Sequence, residues 1–172
     1  PQRHRYSWYF DYIYVFTKRR SFGVHRIKDK PNKNVGSVLR PRTIRNFDGT
    51  MSLAGDTVGF VSEFGYRTNV WFYSVGGGHT AKDDRITRGH EARMPERLAE
   101  DLIISFGKPG RMVFDPMAGS GTTLKMAFLN NHQFLGMEKN PKYVAMIRRR
   151  LAIAAKKDRP KRVDSFLNRF KG

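Results

Sequence analysis

The second half of the chain alternates between apolar positions at helical spacing and short apolar runs. In PERLAEDLIISF, residues 95–106, Leu98, Leu102 and Phe106 recur every four residues and predict a helix with one apolar face. Pro95 suits the first helical position, where a missing N–H costs nothing, and Lys108-Pro109-Gly110 ends the helix. A short strand is predicted at 112–114. A helix follows from Gly121 with Leu124, Ala127 and Phe128 inward, closed by Asn130-Asn131. A second short strand covers 134–137. Asn140-Pro141 reads as a cap with a first-turn proline and opens a helix over 143–155, with Val144, Ile147 and Leu151 inward. Helix, strand, helix, strand, helix is a βαβ order with parallel strands and a right-handed crossover, hence an α/β fold.

The first half is patterned differently. Residues 9–18, YFDYIYVFTK, are aromatic and β-branched and predict a strand. Residues 19–55 are basic and punctuated (KDKPNKNVGS, RPRTIRNFDGT), with no sustained period, which predicts loops and short strands. A further strand is expected at 70–75, ended by three glycines, and 79–90 reads as a polar loop. The tail KKDRPKRVDSFLNRFKG is basic. Its Val163, Phe166, Leu167 and Phe170 make a short amphipathic stretch that packs on its own domain or frays, with contact to DNA as the second reading.

Composition narrows the function. The 172 residues suffice for one domain with a core. No apolar run is long enough for a membrane span, and PQRHRYSW does not read as a signal peptide. An intracellular protein fits best. The absence of cysteine excludes disulfides, zinc–thiolate sites and a cysteine nucleophile. Lysines and arginines number 33 against 15 acids, a formal net charge of +18, which favours nucleic acid as a partner.

The candidate chemistry sits in VFDPMAGSGTT, residues 113–123. A strand that ends in a glycine turn and feeds a helix lets a ligand approach backbone closely, at a helix end of partial positive charge. The stretch is not a phosphate P-loop, because Lys125 stands four residues past Gly121. Gly119-Ser120-Gly121 supplies two glycines of a dinucleotide fingerprint, but Leu124 takes the third place, which demotes NAD and FAD. The second strand leads into Glu138, 19 residues past Gly119, about where an acid binds ribose hydroxyls in such units. Asp115, at the mouth of the first strand, can pair with a cationic group. A nucleoside with an amine-bearing, positive tail points to S-adenosyl-L-methionine.

FDPMAGSGTT followed by GMEKNPKYVAMIRRRL resembles the cofactor motif and next strand of the β-class, circularly permuted amino-methyltransferases of DNA, which make N6-methyladenine or N4-methylcytosine. Upstream, NVWFYSVGGGHTAKDD and GHEARMPERLAEDLIISF resemble the linker and helix that precede that motif. The class usually carries His-Pro-Ala-x-Phe-Pro where this chain has His90-Glu91-Ala92-Arg93-Met94-Pro95, departing at two positions. The resemblance implies a partial Rossmann-like methyltransferase fold with an inserted basic recognition region. Its parts would be late strands of the catalytic sheet at 1–18, recognition region and linker at 19–78, a cofactor-binding βαβ lobe at 79–155, and the basic tail at 156–172. It implies that Asp115, Pro116, Ala118, Gly119 and Gly121 line the cofactor. Ser120, Thr122 and Thr123 would partner its carboxylate, with capping as the alternative for the threonines. Glu138 would bind the ribose, and Ala92, Met94 and Pro95 would flank the methionine end.

The class also needs Asp/Asn/Ser-Pro-Pro-aromatic to hold the target amine, and the chain has no such motif. In the permuted order it would precede Pro1. An N-terminal segment cut off, disordered or supplied by a second polypeptide is therefore expected, and no catalytic residue is assigned. Arg19, Arg20, Arg26, Lys28, Lys30, Lys33, Arg40, Arg42 and Arg45 are the candidate DNA contacts, with Phe22 and Phe47 interleaved. His79 reads as structural. The leading reading is methylation of a DNA base amine, N6-adenine ahead of N4-cytosine. A non-catalytic half of a split or degraded methylase and an RNA methyltransferase are the alternatives. A homodimer is expected by analogy alone.

Overall fold

The computed structural model describes residues 10–18, 23–39, 41–54, 58–74, 80–81, 83–87 and 93–157. The basic first half forms three antiparallel strand pairs. β1 (Lys28–Pro31) pairs with β6 (Phe64–Tyr66), β2 (Val38–Leu39) with β5 (Gly59–Phe60), and β3 (Arg42–Arg45) with β4 (Met51–Ala54). The pairs are nested, so residues 28–66 make one long ribbon interrupted by irregularities. At its tip, Asn46 N–H donates to the Thr50 carbonyl at 2.8 Å, and Gly49 takes a φ of 85°, the left-handed conformation that closes tight hairpin loops. Phe47 stands fully exposed there.

A two-stranded ribbon is marginal alone, and this one is held at its base. Arg67, just after β6, pairs with Asp29 of β1 at 2.5 Å and with Asp101 of helix α2 (Glu96–Phe106) at 2.6 Å. The Tyr73 hydroxyl donates to the same Asp101 carboxylate at 2.8 Å, and His25 N–H donates to the Ser105 carbonyl at 2.9 Å. Burial and the Asp101 carboxylate both push the Tyr73 phenol well above its ordinary pKa of 10.

The second half builds the α/β lobe. α2 leads to β7 (Met112–Asp115), α3 (Thr122–Leu129), β8 (Gln133–Gly136) and α4 (Pro141–Lys157). β7 and β8 run parallel, in register from Met112 opposite Gln133 to Asp115 opposite Gly136. The pleat turns Val113 and Phe134 onto the helices, where they pack against a core of Ala99, Ile103, Met126 and Ala127. A neighbouring cluster joins Ala118, Leu124 and Ile147. Gly136 permits this closeness, because a Cβ there would stand 2.5 Å from Leu124 Cδ1.

The α/β lobe follows the sequence expectation closely, and several details differ. Residues 10–18 pair with no strand among the described residues. Phe10, Tyr12, Tyr14 and Phe16 contact one another in succession along one exposed side, since aromatic alternation makes an extended chain but only a ladder partner makes a strand. The strand expected at 70–75 is absent over 70–74, and Val75 lies outside the described residues. That stretch instead caps the ribbon base, with Trp71 Nε1 donating to the Thr68 carbonyl at 2.8 Å. The polar loop holds a one-turn helix, α1 (Asp84–Thr87). In α2 the buried apolar positions are Ala99, Ile103 and Ile104 rather than Leu98, Leu102 and Phe106, which are half-buried. The helix is gripped on two sides, by α3 and by the ribbon base, so its buried arc is rotated off the four-residue stripe. Pro95 is the residue before the helix rather than its first position. Arg19, Arg20, Arg40, His79, His90, Ala92 and the tail from 158 lie outside the described residues. Among those described, no helix is long and apolar enough to cross a membrane.

Candidate functional site

β7 delivers Asp115 to the mouth of the parallel pair. Asp115 Oδ1 accepts from Met117 N–H at 3.0 Å, and its backbone carbonyl accepts from Met137 N–H at 2.9 Å. The chain passes through exposed Pro116 and Met117 to buried Ala118, whose N–H donates to the Met137 carbonyl at 2.9 Å. Gly119 and Gly121 then take φ values of 53° and 79°, which only glycine adopts at no steric cost. At Gly121 a Cβ would also stand 2.7 Å from Ile147 Cγ1. The sequence expects this glycine for close approach of a ligand, and packing against α4 demands it as well.

Glu138 closes the site. Its Oε2 accepts from Gly119 N–H at 2.9 Å and its Oε1 from Asn140 N–H at 2.8 Å. The acid after the second strand thereby stitches together the loops that follow both strands. Each carboxylate oxygen carries two lone pairs, so one backbone N–H on an oxygen does not by itself close it to a hydroxyl donor. Asn140 Oδ1 accepts from Lys142 N–H at 3.0 Å and caps α4.

Beneath the glycine turn lies a buried ionic cluster that sequence reasoning missed. Arg150 of α4 is completely buried and Lys125 of α3 is 3% exposed. Arg150 Nε donates to Asp83 Oδ2 at 3.0 Å and Nη2 to Glu96 Oε1 at 2.8 Å. Lys125 Nζ lies 2.7 Å from Glu96 Oε1 and 3.2 Å from Asp83 Oδ2. Arg150 Nη1 donates to the Ser120 carbonyl at 2.7 Å and to Thr122 Oγ1 at 3.1 Å. Burial alone would raise the pKa of Asp83. The Arg150 hydrogen bond and the charges of Arg150 and Lys125 outweigh it and hold the carboxyl below its ordinary 3.8. One signal was present in the sequence. Position 150 falls three residues after Ile147 and four before Ala154, on the inward stripe of α4.

The structure thus brings Asp115, Gly119, Ser120, Gly121, Thr122 and Glu138 to one end of the β7–β8 pair. Ser120 and Thr122, expected to face the cofactor's carboxylate, are buried with Arg150 against them, while Thr123 is half-buried. Met94 is exposed and Pro95 buried. Next to Pro95, Glu96 ties this end of α2 to the glycine turn through Arg150.

The basic residues behave differently. Arg26, Lys28, Lys30, Lys33, Arg42 and Arg45 are all exposed along the ribbon. Arg26 Cζ stands 3.8 Å over the Tyr66 ring and Lys28 Nζ 5.9 Å from it, a small cation–aromatic patch. Arg42 and Arg45 are three residues apart on β3, so they point to opposite faces and cannot serve one flat surface. A cleft of about 510 Å³, lined by Asp29, Lys30, Arg67, Trp71, Tyr73 and Arg97 among others, separates the ribbon base from α2. Among the described residues no cluster of His, Cys, Asp or Glu could hold a metal ion.

An acid-clamped glycine turn between parallel strands is thus joined to a basic ribbon. The family model for DNA methylases of the N6/N4 type matches residues 1–149. The chain belongs to this DNA methylase family. It is 35% identical over 153 residues to the orphan methyltransferase M.BamHII of Bacillus amyloliquefaciens, an alignment covering 88% of this chain and 57% of that protein. It is 39% identical over 66 residues to the DNA adenine methyltransferase YhdJ of Escherichia coli K12, covering 38% of this chain and 22% of that one. The methylase chain therefore spans little more than half the length of M.BamHII and less of YhdJ. Among solved structures, the cytosine-N4-specific PvuII DNA methyltransferase aligns with a TM-score of 0.39 at 24% identity, over 57% of this chain and 34% of that one. A Thermus thermophilus protein described as a putative DNA modification methylase, complexed with S-adenosyl-L-methionine, aligns with a TM-score of 0.36 at 18% identity, over 70% and 68% of the two chains.

Proposed function

We propose that this methylase-family chain is the cofactor- and DNA-binding portion of an enzyme that methylates an exocyclic amine of a DNA base with S-adenosyl-L-methionine. Adenine N6 is the amine we favour over cytosine N4, and the name of the relative YhdJ, a DNA adenine methyltransferase, supports that choice. The observation that carries the reading is the Glu138 clamp, which sets a carboxylate against the N–H of Gly119 at the glycine turn. That pairing sets a carboxylate suited to ribose hydroxyls at a glycine in the left-handed region, φ 53°. Asp115, at the mouth of β7, suits an ammonium group.

When bound, S-adenosyl-L-methionine supplies a methyl group already activated on a sulfonium. The protein's share is then to orient the amine and exclude wrong geometries, on a base taken out of the duplex. Lys and Arg of the ribbon give sequence-blind attraction to phosphates.

The residues that hold the amine are expected on further polypeptide, since the chain lacks the Pro-Pro-aromatic motif. The open face of the β7–β8 pair supports this. Met112, Phe114, Leu135 and Met137 are each more than half exposed on it, whereas parallel sheets are normally covered on both faces.

The test is the substitution Glu138→Ala, with binding measured by calorimetry. The unaltered chain should prefer adenosine over 2′,3′-dideoxyadenosine, and Glu138→Ala should abolish that preference and weaken S-adenosyl-L-methionine. An unchanged preference sinks the ribose assignment. On the DNA side, affinity should fall with salt by about 0.9 log units per log unit of salt for each neutralised phosphate. A flat response counts against the ribbon as the DNA surface.

A further inference from the structure

Arg150 is the largest fully buried side chain among the described residues, and it belongs to none of the positions that the cofactor reading uses. Four charged groups packed together are not explained by stability. Burying charges is costly, and well-packed apolar residues of similar volume often serve as well or better. Asp83 Oδ1 is buried with no hydrogen-bond partner, so the cluster is not arranged for full satisfaction either.

What the cluster does provide is direction. The guanidinium is a rigid planar fork of five N–H donors. One side is fixed by Asp83 and Glu96, from the segment before α1 and from the start of α2. The other side grips the Ser120 carbonyl, the Thr122 hydroxyl and, at 3.4 Å, the Ser120 hydroxyl. Those atoms lie on either side of Gly121, a glycine in the left-handed region at φ 79°. Glu138 holds the loop at Gly119. The turn is therefore held from two sides by two different residues, an acid before Ser120 and an arginine after it.

We propose that Arg150 is a positioning residue, whose fork holds residues 120–122 in the shape that receives the amino-acid half of S-adenosyl-L-methionine. The proposal rests on the cofactor reading above. It gives Ser120 and Thr122 a part in that shape: their oxygens accept from Arg150, and the form this imposes on the turn is what the ligand meets. Lysine cannot replace arginine, because one ammonium cannot reach two acids and three loop oxygens at once.

The experiment uses Arg150→Lys in the full chain. Circular dichroism confirms folding, and calorimetry then measures S-adenosylhomocysteine and adenosine separately. The expected result is S-adenosylhomocysteine weakened about tenfold, with adenosine unchanged within about twofold. An arginine that merely supports the fold would weaken both alike. Equal losses, or no loss of S-adenosylhomocysteine, overturn the clamp. If the unaltered chain binds neither ligand, the cofactor reading fails and the clamp falls with it. If Arg150→Lys does not fold, Asp83→Asn decides. It touches Arg150 but no atom of the turn, and should show the same split at about threefold. Equal affinities of Asp83→Asn and the unaltered chain then overturn the proposal.

Discussion

Replacing Gly121 by alanine tests whether the glycine turn is built by packing as well as by ligand approach. Gly121 stands at φ 79° and ψ 26°. A Cβ in that left-handed region costs about 1–2 kcal/mol. The new Cβ would also stand 2.7 Å from Ile147 Cγ1 and 3.2 Å from its Cβ and Cγ2. Ile147 is buried with Ala118 and Leu124, and its branched side chain is stiff at χ1, so it cannot swing aside freely. Overpacking of this kind costs about 1–3 kcal/mol. The two parts together come to about 2–5 kcal/mol, a large share of a total of about 5–15. Urea unfolding followed by far-ultraviolet circular dichroism would read it. With an m-value of about 2 kcal/mol/M the midpoint should fall by about 1–2.5 M. Ile147→Ala removes the three close atoms except Cβ and alone costs about 2–5 kcal/mol. Combined with Gly121→Ala it should cost less than the sum by about 1–3 kcal/mol, because the clash is gone. A single substitution within about 0.5 kcal/mol of the unaltered protein, or a strictly additive pair, would refute the steric reasoning.

Two further outcomes follow from the ion pairs. Arg67→Met strands the mostly buried Asp101 and frees the ribbon base. It should cost about 3 kcal/mol and strip amide protection from β1 and β6 while leaving α3 protected by hydrogen exchange. A loss confined to a few tenths of a kcal/mol, or one spread evenly over the chain, contradicts the pinning role. Asp83 and Asp29 both have pKa values held below the ordinary 3.8 in the fold, Asp29 chiefly by its hydrogen bond from Arg67. A lowered carboxylate stabilises the folded state fully above its unfolded pKa and loses that effect as pH falls through the folded value. Melting temperature should therefore hold between about pH 5 and 7 and fall below about pH 4, with a shallower acid slope in Asp83→Asn. A melting temperature that rises on acidification from pH 5 to 3 is incompatible with this.

What the sequence determined by itself is the α/β lobe and its glycine turn. The reason is local. Each element there carries its own period and its own punctuation: Asn140 caps α4, Asn130 ends α3, and Gly119 and Gly121 mark a turn that other residues cannot make. The 19-residue step from Gly119 to Glu138 also follows from one strand–helix–strand repeat, so an acid near the turn was legible as spacing, while its bond from Gly119 N–H was not. Tertiary structure alone decided the rest. The aromatic run at 10–18 has strand propensity but no ladder partner among the described residues, and the ribbon's nested pairing depends on contacts as distant in sequence as Lys28 and Tyr66. The ionic cluster gathers Asp83, Glu96, Lys125 and Arg150 from four separate segments. A charged residue reads as surface when its sequence is scanned. Only a partner brought from elsewhere in the chain makes its burial tolerable, and that partner is a property of the fold.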